Sequence, residues 1–143
     1  MMLQLEFWTG RMRLLGLIAV AISIATWAME LTGLVYVCPY CRTQRTVIGL
    51  LGLLMLTPNP GFWISRYVGA VLGVFSLVVG STQHFAGWRK IMKGEFVLSP
   101  KVYDDAFLLS GAAIFIITAQ VLLLYAYRKP APAVANEPVT PAG

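Results

Sequence analysis

Apolar residues fill four long stretches of the chain, and short polar intervals separate them. The first stretch covers residues 14–36 with Glu30 as its only charge. The second, about 42–57, stops at Thr57-Pro58-Asn59-Pro60-Gly61, where two prolines and a glycine break a helix. The third covers 67–85 and the fourth 106–127. A helix crosses the hydrocarbon core of a bilayer in about 20 residues. The first and fourth stretches meet that length and the third nearly does. The second falls short unless its helix begins at Cys41 or just before it. Trp8, Trp63 and Trp88 lie near stretch ends, as interfacial anchors do. The pattern predicts an all-α membrane protein, a four-transmembrane-helix bundle forming one domain over residues 1–128. Residues 1–10 read as a short interfacial helix ahead of Arg11 and Arg13. Basic residues before an apolar run faintly resemble a signal peptide, but the run continues well past a cleavage point, so a retained anchor is expected. The tail, residues 129–143, is rich in Pro and Ala without periodicity and reads as disordered.

Composition agrees with a membrane location. Of 143 residues, 58% are hydrophobic and only 12% charged, against about 25% charged in soluble domains. The net charge of +5 does not point to nucleic acid, because the 11 basic residues sit mostly in short stretches between apolar runs. Four spans put both termini on one side, and the Cys38–Cys41 stretch on the other with the 87–105 loop. The terminal side carries Arg11, Arg13, Arg66, Arg128 and Lys129; the other carries Arg42, Arg45, Arg89, Lys90, Lys93 and Lys101. So even a distribution gives no orientation by the positive-inside rule.

The chemistry concentrates in Cys38-Pro39-Tyr40-Cys41-Arg42-Thr43-Gln44-Arg45, which holds both cysteines of the chain. A CxxC pair closes a disulfide or holds a reactive thiolate. If a helix begins near Cys41, its unpaired N–H groups favour an anion there, and Arg42 and Arg45 add positive charge. Cys41, Gln44, Arg45 and Ile48 follow i, i+3, i+4, i+7 spacing and share one helix face. A quinone suits that face, since its oxygen becomes anionic on reduction and Arg45 can stabilise the charge. Plainer readings stand beside this one. Arg42 and Arg45 can simply anchor a helix end in the headgroups. The cysteines can form an inert disulfide, remain a buried reduced pair or bind metal, although His84 is the only histidine. Glu30 and His84 are ionisable groups in or near apolar stretches and therefore candidate proton relays. Glu30 can equally snorkel or pair with Arg45, and His84 can be merely interfacial. Asp104 and Asp105 read as caps of the fourth helix.

The constellation resembles the DsbB family of membrane thiol–quinone oxidoreductases, four-helix proteins with a CxxC after the first helix and an arginine four residues beyond the second cysteine. Cys38 to Arg45 fits the family's C-x-x-C-x-x-Q-R pattern without a gap, Glu30 resembles its acidic residue near the end of the first helix, and His84 resembles a position close to the quinone. The resemblance implies a protein-disulfide oxidoreductase that passes electrons to ubiquinone or menaquinone. Cys38 would exchange with the thiol substrate and Cys41 would lie next to the quinone, with Arg45, Gln44, His84 and Glu30 around it. It implies a thioredoxin-fold, DsbA-like partner besides membrane lipid. It also implies the bacterial inner membrane, termini cytoplasmic and the CxxC loop periplasmic. Typical members carry a second cysteine pair between the third and fourth helices; here the 87–105 loop has none. Either a partner thiol attacks Cys38 directly, or a second membrane subunit supplies the missing pair. An alternative of a different class is a non-catalytic accessory subunit or assembly factor. Vitamin K epoxide reductase-like chemistry shares the bundle but places its pair at the fourth helix, and fits less well.

Overall fold

The structure, a computed structural model, describes residues 2–129. The tail read as disordered lies, from residue 130 on, outside the described residues. Five α-helices and one 3-10 turn account for the regular structure, with no strand among the described residues. They are α1 (Met2–Gly10), α2 (Met12–Leu31), α3 (Pro39–Leu56), α4 (Trp63–Met92) and α5 (Ala106–Ala126), with the 3-10 turn at Val102–Asp104. Three of them, α2, α4 and α5, are long and apolar enough to cross a membrane, with mean hydropathies of 2.0, 1.6 and 2.3. The 18-residue α3 is not among these. It is about 27 Å long at 1.5 Å per residue, and its first two turns carry Arg42, Gln44 and Arg45.

Local chemistry explains where the helices stop. The first apolar stretch continues to Tyr36, yet α2 ends at Leu31 because Gly33 takes a left-handed φ of 75°. There the Gly33 and Leu34 N–H groups donate back to the Glu30 and Met29 carbonyls, a glycine C-terminal motif. Gly94, at φ 71°, ends α4 in the same way. Helix α4 therefore continues through Gly87 and Trp88, well beyond the expected boundary at residue 85. Gly87 is no breaker: a Cβ there would strike the Phe107 ring of α5. The same logic runs down α4. Gly69 faces Leu124 and Gly73 faces Val121, with a would-be Cβ at 2.8 and 2.6 Å. Small residues on α4 thus admit the large side chains of α5, as in lipid-embedded helix packing.

Helix α3 packs against α2, α4 and α5, whereas α2 and α5 scarcely touch each other. The α2–α3 contact is again built on small residues: Gly16, Ala19 and Ser23 against Gly49 and Gly52. Met12, Leu51, Met55, Ile117 and Leu124 fill the centre. The Gln120 amide donates to the Ile48 carbonyl at 3.1 Å, tying α5 to α3. The outward faces carry exposed Leu17, Ile24, Val74, Phe75, Val78, Phe115 and Leu122. So much apolar surface outside, with glycine and serine inside, suits lipid rather than water as the surrounding medium.

Both the packing and the capping of these helices can be tested by substitution. A Cβ on Gly52 would lie 2.9 Å from the Gly16 carbonyl oxygen of α2. Gly52→Val must therefore push the helices apart and should cost about 1–3 kcal/mol by overpacking, read as a lower Tm in detergent. The second concerns Asp105, which caps α5: one carboxylate oxygen accepts from the Phe107 and Leu108 N–H groups at 2.9 and 3.1 Å, the other from the Ser99 N–H at 3.0 Å. The Ser99 bond first, then those to Leu108 and Phe107, hold the Asp105 carboxyl below its ordinary range against the opposing effect of burial. A depressed folded-state pKa adds stability above the unfolded value of about 3.9, and that stability fades as pH falls through the lower folded value. Asp105→Asn should thus lower Tm at neutral pH, and the difference from the parent should shrink on acidification below about pH 4.

Candidate functional site

The residues Cys38 to Arg45 form the start of α3. Pro39 occupies the first helical position, where its missing N–H costs nothing. Cys38 is the N-cap, and its sulfur accepts the Cys41 N–H at 3.4 Å. The helix-end donor thus goes to Cys38 rather than to Cys41, where the sequence reading placed it. Both cysteines are free thiols and half-buried.

Arg45, expected as a free positive charge beside Cys41, is already committed. Its Nη1 lies 2.8 Å from Glu30 Oε2 and also donates to the Thr26 carbonyl at 2.8 Å; its Nε donates to the Cys41 carbonyl at 3.2 Å. One of the two Nη1 hydrogens is directed at Thr26, and the contact with Glu30 Oε2 is an ion pair without an aligned hydrogen bond. Arg42 Nε completes the cluster by pairing with Glu30 Oε1. Both guanidinium groups lie 5.8 Å from the Trp27 ring centre, within cation–π range. The Glu30 side chain is 1% exposed, Arg45 12% and Arg42 46%. Glu30 therefore neutralises Arg45 in a dry setting, while Arg42 forms the wet rim of the cluster. Glu30 thus offsets much of Arg45's charge, leaving less of it to favour a thiolate than the sequence suggested.

The gap between α2 and α5, floored by α3, is a cavity of about 470 Å³. Cys38 and Cys41 line it together with Gln44, Arg45 and Ile48, so the shared face expected of α3 does face one space. Ile22 and Met29 of α2, Leu109 and Ile116 of α5, and Tyr103 and Asp104 before α5 form its other walls. It is largely apolar, with sulfur, amide and guanidinium groups on the α3 side.

Glu30 acts here from behind Arg45 and does not line the cavity. His84 faces elsewhere. Its ring stacks on Phe107 at 4.2 Å, its Nδ1 lies 3.1 Å from the Phe107 carbonyl and 3.2 Å from Ser110 Oγ, and it lines a separate open cleft with Phe85 and Trp88. The neighbouring Gln83 is the residue that sequence reading missed. Its amide nitrogen lies 3.5 Å from Cys41 Sγ and 3.7 Å from Cys38 Sγ, and its carbonyl oxygen accepts the Gln44 amide at 3.1 Å. Successive residues on a helix point about 100° apart, so one turns to the thiols and the next to α5. An amide in an apolar stretch, one residue before the only histidine, was the available signal.

Compared with known proteins, this chain matches no family model, no curated protein and no solved structure.

Proposed function

We propose that the chain is a DsbB-like protein thiol–quinone oxidoreductase of the bacterial inner membrane. The single observation that carries this reading is the CxxC pair opening, at the start of a helix, onto a cavity of about 470 Å³ that also holds Arg45. In this reading α3 is the fourth span, its polar first turns shielded by the Glu30 pairing. The termini are cytoplasmic and the cysteines periplasmic, where disulfides persist.

The residues present fit a quinone. The apolar walls at Ile22, Met29, Leu109 and Ile116 suit a ring and prenyl chain, and the Arg45 and Gln44 side chains supply polar contacts beside the thiols. Arg45 Nη2 has no hydrogen-bond partner among the described residues and is the donor left over for a ligand. A ubiquinone or menaquinone held there by Arg45 and Gln44 would supply the two-electron, two-proton acceptor for oxidation of the dithiol to the Cys38–Cys41 disulfide.

The chain's own residues do the exchange. A partner thiolate attacks Cys38 Sγ; the S–S bond breaks and its electron pair leaves on Cys41 Sγ. The partner's second thiol then displaces Cys38, so the partner leaves oxidised and the CxxC pair is reduced. A DsbA-like, thioredoxin-fold dithiol is the partner class. Glu30 holds Arg45 in place, and Asp104 at the cavity wall is a polar group available to proton traffic. His84 takes no direct part in this version of the reading.

Trapping tests the proposal. In Cys41→Ser the mixed disulfide on Cys38 has no resolving thiol on this side. A covalent complex sensitive to reductant is expected on non-reducing gels of membranes, with a CxxC protein as the captured partner and the double cysteine variant as control. No adduct under oxidising conditions would favour the second reading, an accessory subunit that retains the bundle; the cysteine-free segment between α4 and α5 is the observation on its side.

A further inference from the structure

Gln83 is held in one orientation by a short chain of contacts. Gln44, 3% exposed, donates from its amide nitrogen to the Gln83 carbonyl oxygen at 3.1 Å. That leaves the Gln83 NH2 group facing the sulfurs, at 3.5 Å from Cys41 and 3.7 Å from Cys38. A thiolate accepts hydrogen bonds and donates none, so this is the orientation an anionic sulfur requires. Space for the relay is made by Gly80, one turn earlier on α4: a Cβ there would lie 3.2 Å from the Gln44 amide nitrogen. Three residues on two helices are thus arranged to present one amide to two sulfurs.

We propose that Gln83 is a thiolate-stabilising residue of the CxxC pair, its amide donating to whichever sulfur carries the negative charge, with Gln44 as the positioning residue that fixes its direction. This deepens the thiol–quinone reading and, for its role in turnover, rests on it. Each half of the exchange releases a different sulfur as thiolate: Cys41 when the partner attacks Cys38, then Cys38 when the partner's second thiol displaces it. A donor on α3 with a fixed aim would serve one sulfur. A two-hydrogen amide reaching across from α4 serves both without moving its backbone. Arg45 is less suited to this task, because Glu30, Thr26 and the Cys41 carbonyl already hold it.

The other titratable groups around the pair are few. Arg42 and Arg45 lie on α3, both paired with Glu30 of α2. His84 of α4 is turned to Phe107 and Ser110. Tyr36, Tyr103 and Asp104 line the cavity from the loops. Helix α5 brings no titratable side chain to this end, its one tyrosine, Tyr125, lying at the other.

The test reads the thiols themselves. The reduced full-length protein, purified in detergent under anaerobic conditions, is alkylated with iodoacetamide across a pH series, and mass spectrometry separates Cys38 from Cys41. Gln83→Leu should slow alkylation of both cysteines at neutral pH by about tenfold, the scale of one hydrogen bond to a charged group, and move the pH midpoint upward. Gln83→Glu, nearly isosteric, should slow it further because a carboxylate repels the thiolate. Gln44→Ala should have a smaller effect in the same direction, since Gln83 keeps its amide but loses its fixed orientation. Should Gln83→Leu fail to fold, Gln83→Glu and Gln44→Ala decide. Profiles that coincide with the parent's overturn the assignment. Alkylation needs neither quinone nor partner. Shifted profiles in a protein that reduces no quinone uphold Gln83 and refute the redox reading; unshifted profiles in a protein that does reduce quinone give the reverse.

Discussion

Glu30→Ala should lower stability by about 3 kcal/mol, the low end for removing one partner of a buried ion pair, and should be the most damaging single change at this end of the helices. The reason is the burial gradient across the cluster. Glu30 is 1% exposed and Arg45 only 12%, so the variant leaves a guanidinium in a dry site held by two backbone carbonyls alone. Arg42 is 46% exposed and can turn out to water, so Arg42→Ala should cost under about 1 kcal/mol. Arg45→Ala should fall between them, because Glu30 keeps Arg42 as a partner. Thermal unfolding of the three variants in one detergent checks the order, and a Glu30/Arg45 double-mutant cycle isolates their coupling. Equal losses for Arg42→Ala and Arg45→Ala would mean that the whole cluster is solvated.

Arg45→Ala should have the largest effect on turnover. Among the described residues, Arg45 is the only cationic side chain lining the cavity that holds both cysteines. Removing a preorganised donor from a low-dielectric site typically costs about 100- to 1000-fold in rate, and a loss of that order in quinone reduction is expected. Arg45→Lys should recover only part of it: a lysine can pair with Glu30 but lacks the planar fork that holds Thr26, Cys41 and Glu30 at once. Rates are compared at a temperature where both variants remain folded, because the same residue supports the α2–α3 contact. Unchanged rate and affinity in Arg45→Ala would make Arg45 a purely structural anchor.

The sequence revealed much that depends on neighbours along one helix, although not the Gly33 turn that ends α2 at Leu31. Apolar stretches located α2, α4 and α5, the length needed for a span put the start of α3 at Cys41 or just before it, close to the observed Pro39, and of the two expected caps of α5 Asp105 is the one that caps it. The i, i+3, i+4, i+7 spacing placed Cys41, Gln44, Arg45 and Ile48 on one face, and they line one cavity. Pairing of Glu30 with Arg45 was the plainer of its two readings, and it is the contact present. What stayed hidden depends on register between helices. Nothing local says that Gln83 rather than His84 turns towards α3, a matter of one residue and about 100°. Gly87 fell in the expected 87–105 loop because the apolar stretch ends at residue 85, whereas it lies within α4 and admits Phe107. The partners of α3 could not be read either: its length is marginal for a span, and its polar first turns are masked only once Glu30 and Gln83 are brought against them.

The proposed step is passage of electrons from the CxxC pair to a quinone in the adjoining cavity. It is tested most directly by anaerobic titration of the dithiol protein with ubiquinone and menaquinone analogues, following quinone absorbance and free-thiol count together. Two thiols should disappear for each quinone converted to quinol, and the double variant Cys38→Ser, Cys41→Ser should convert none. Quinones that stay oxidised while both thiols remain titratable, with the protein folded, would contradict it.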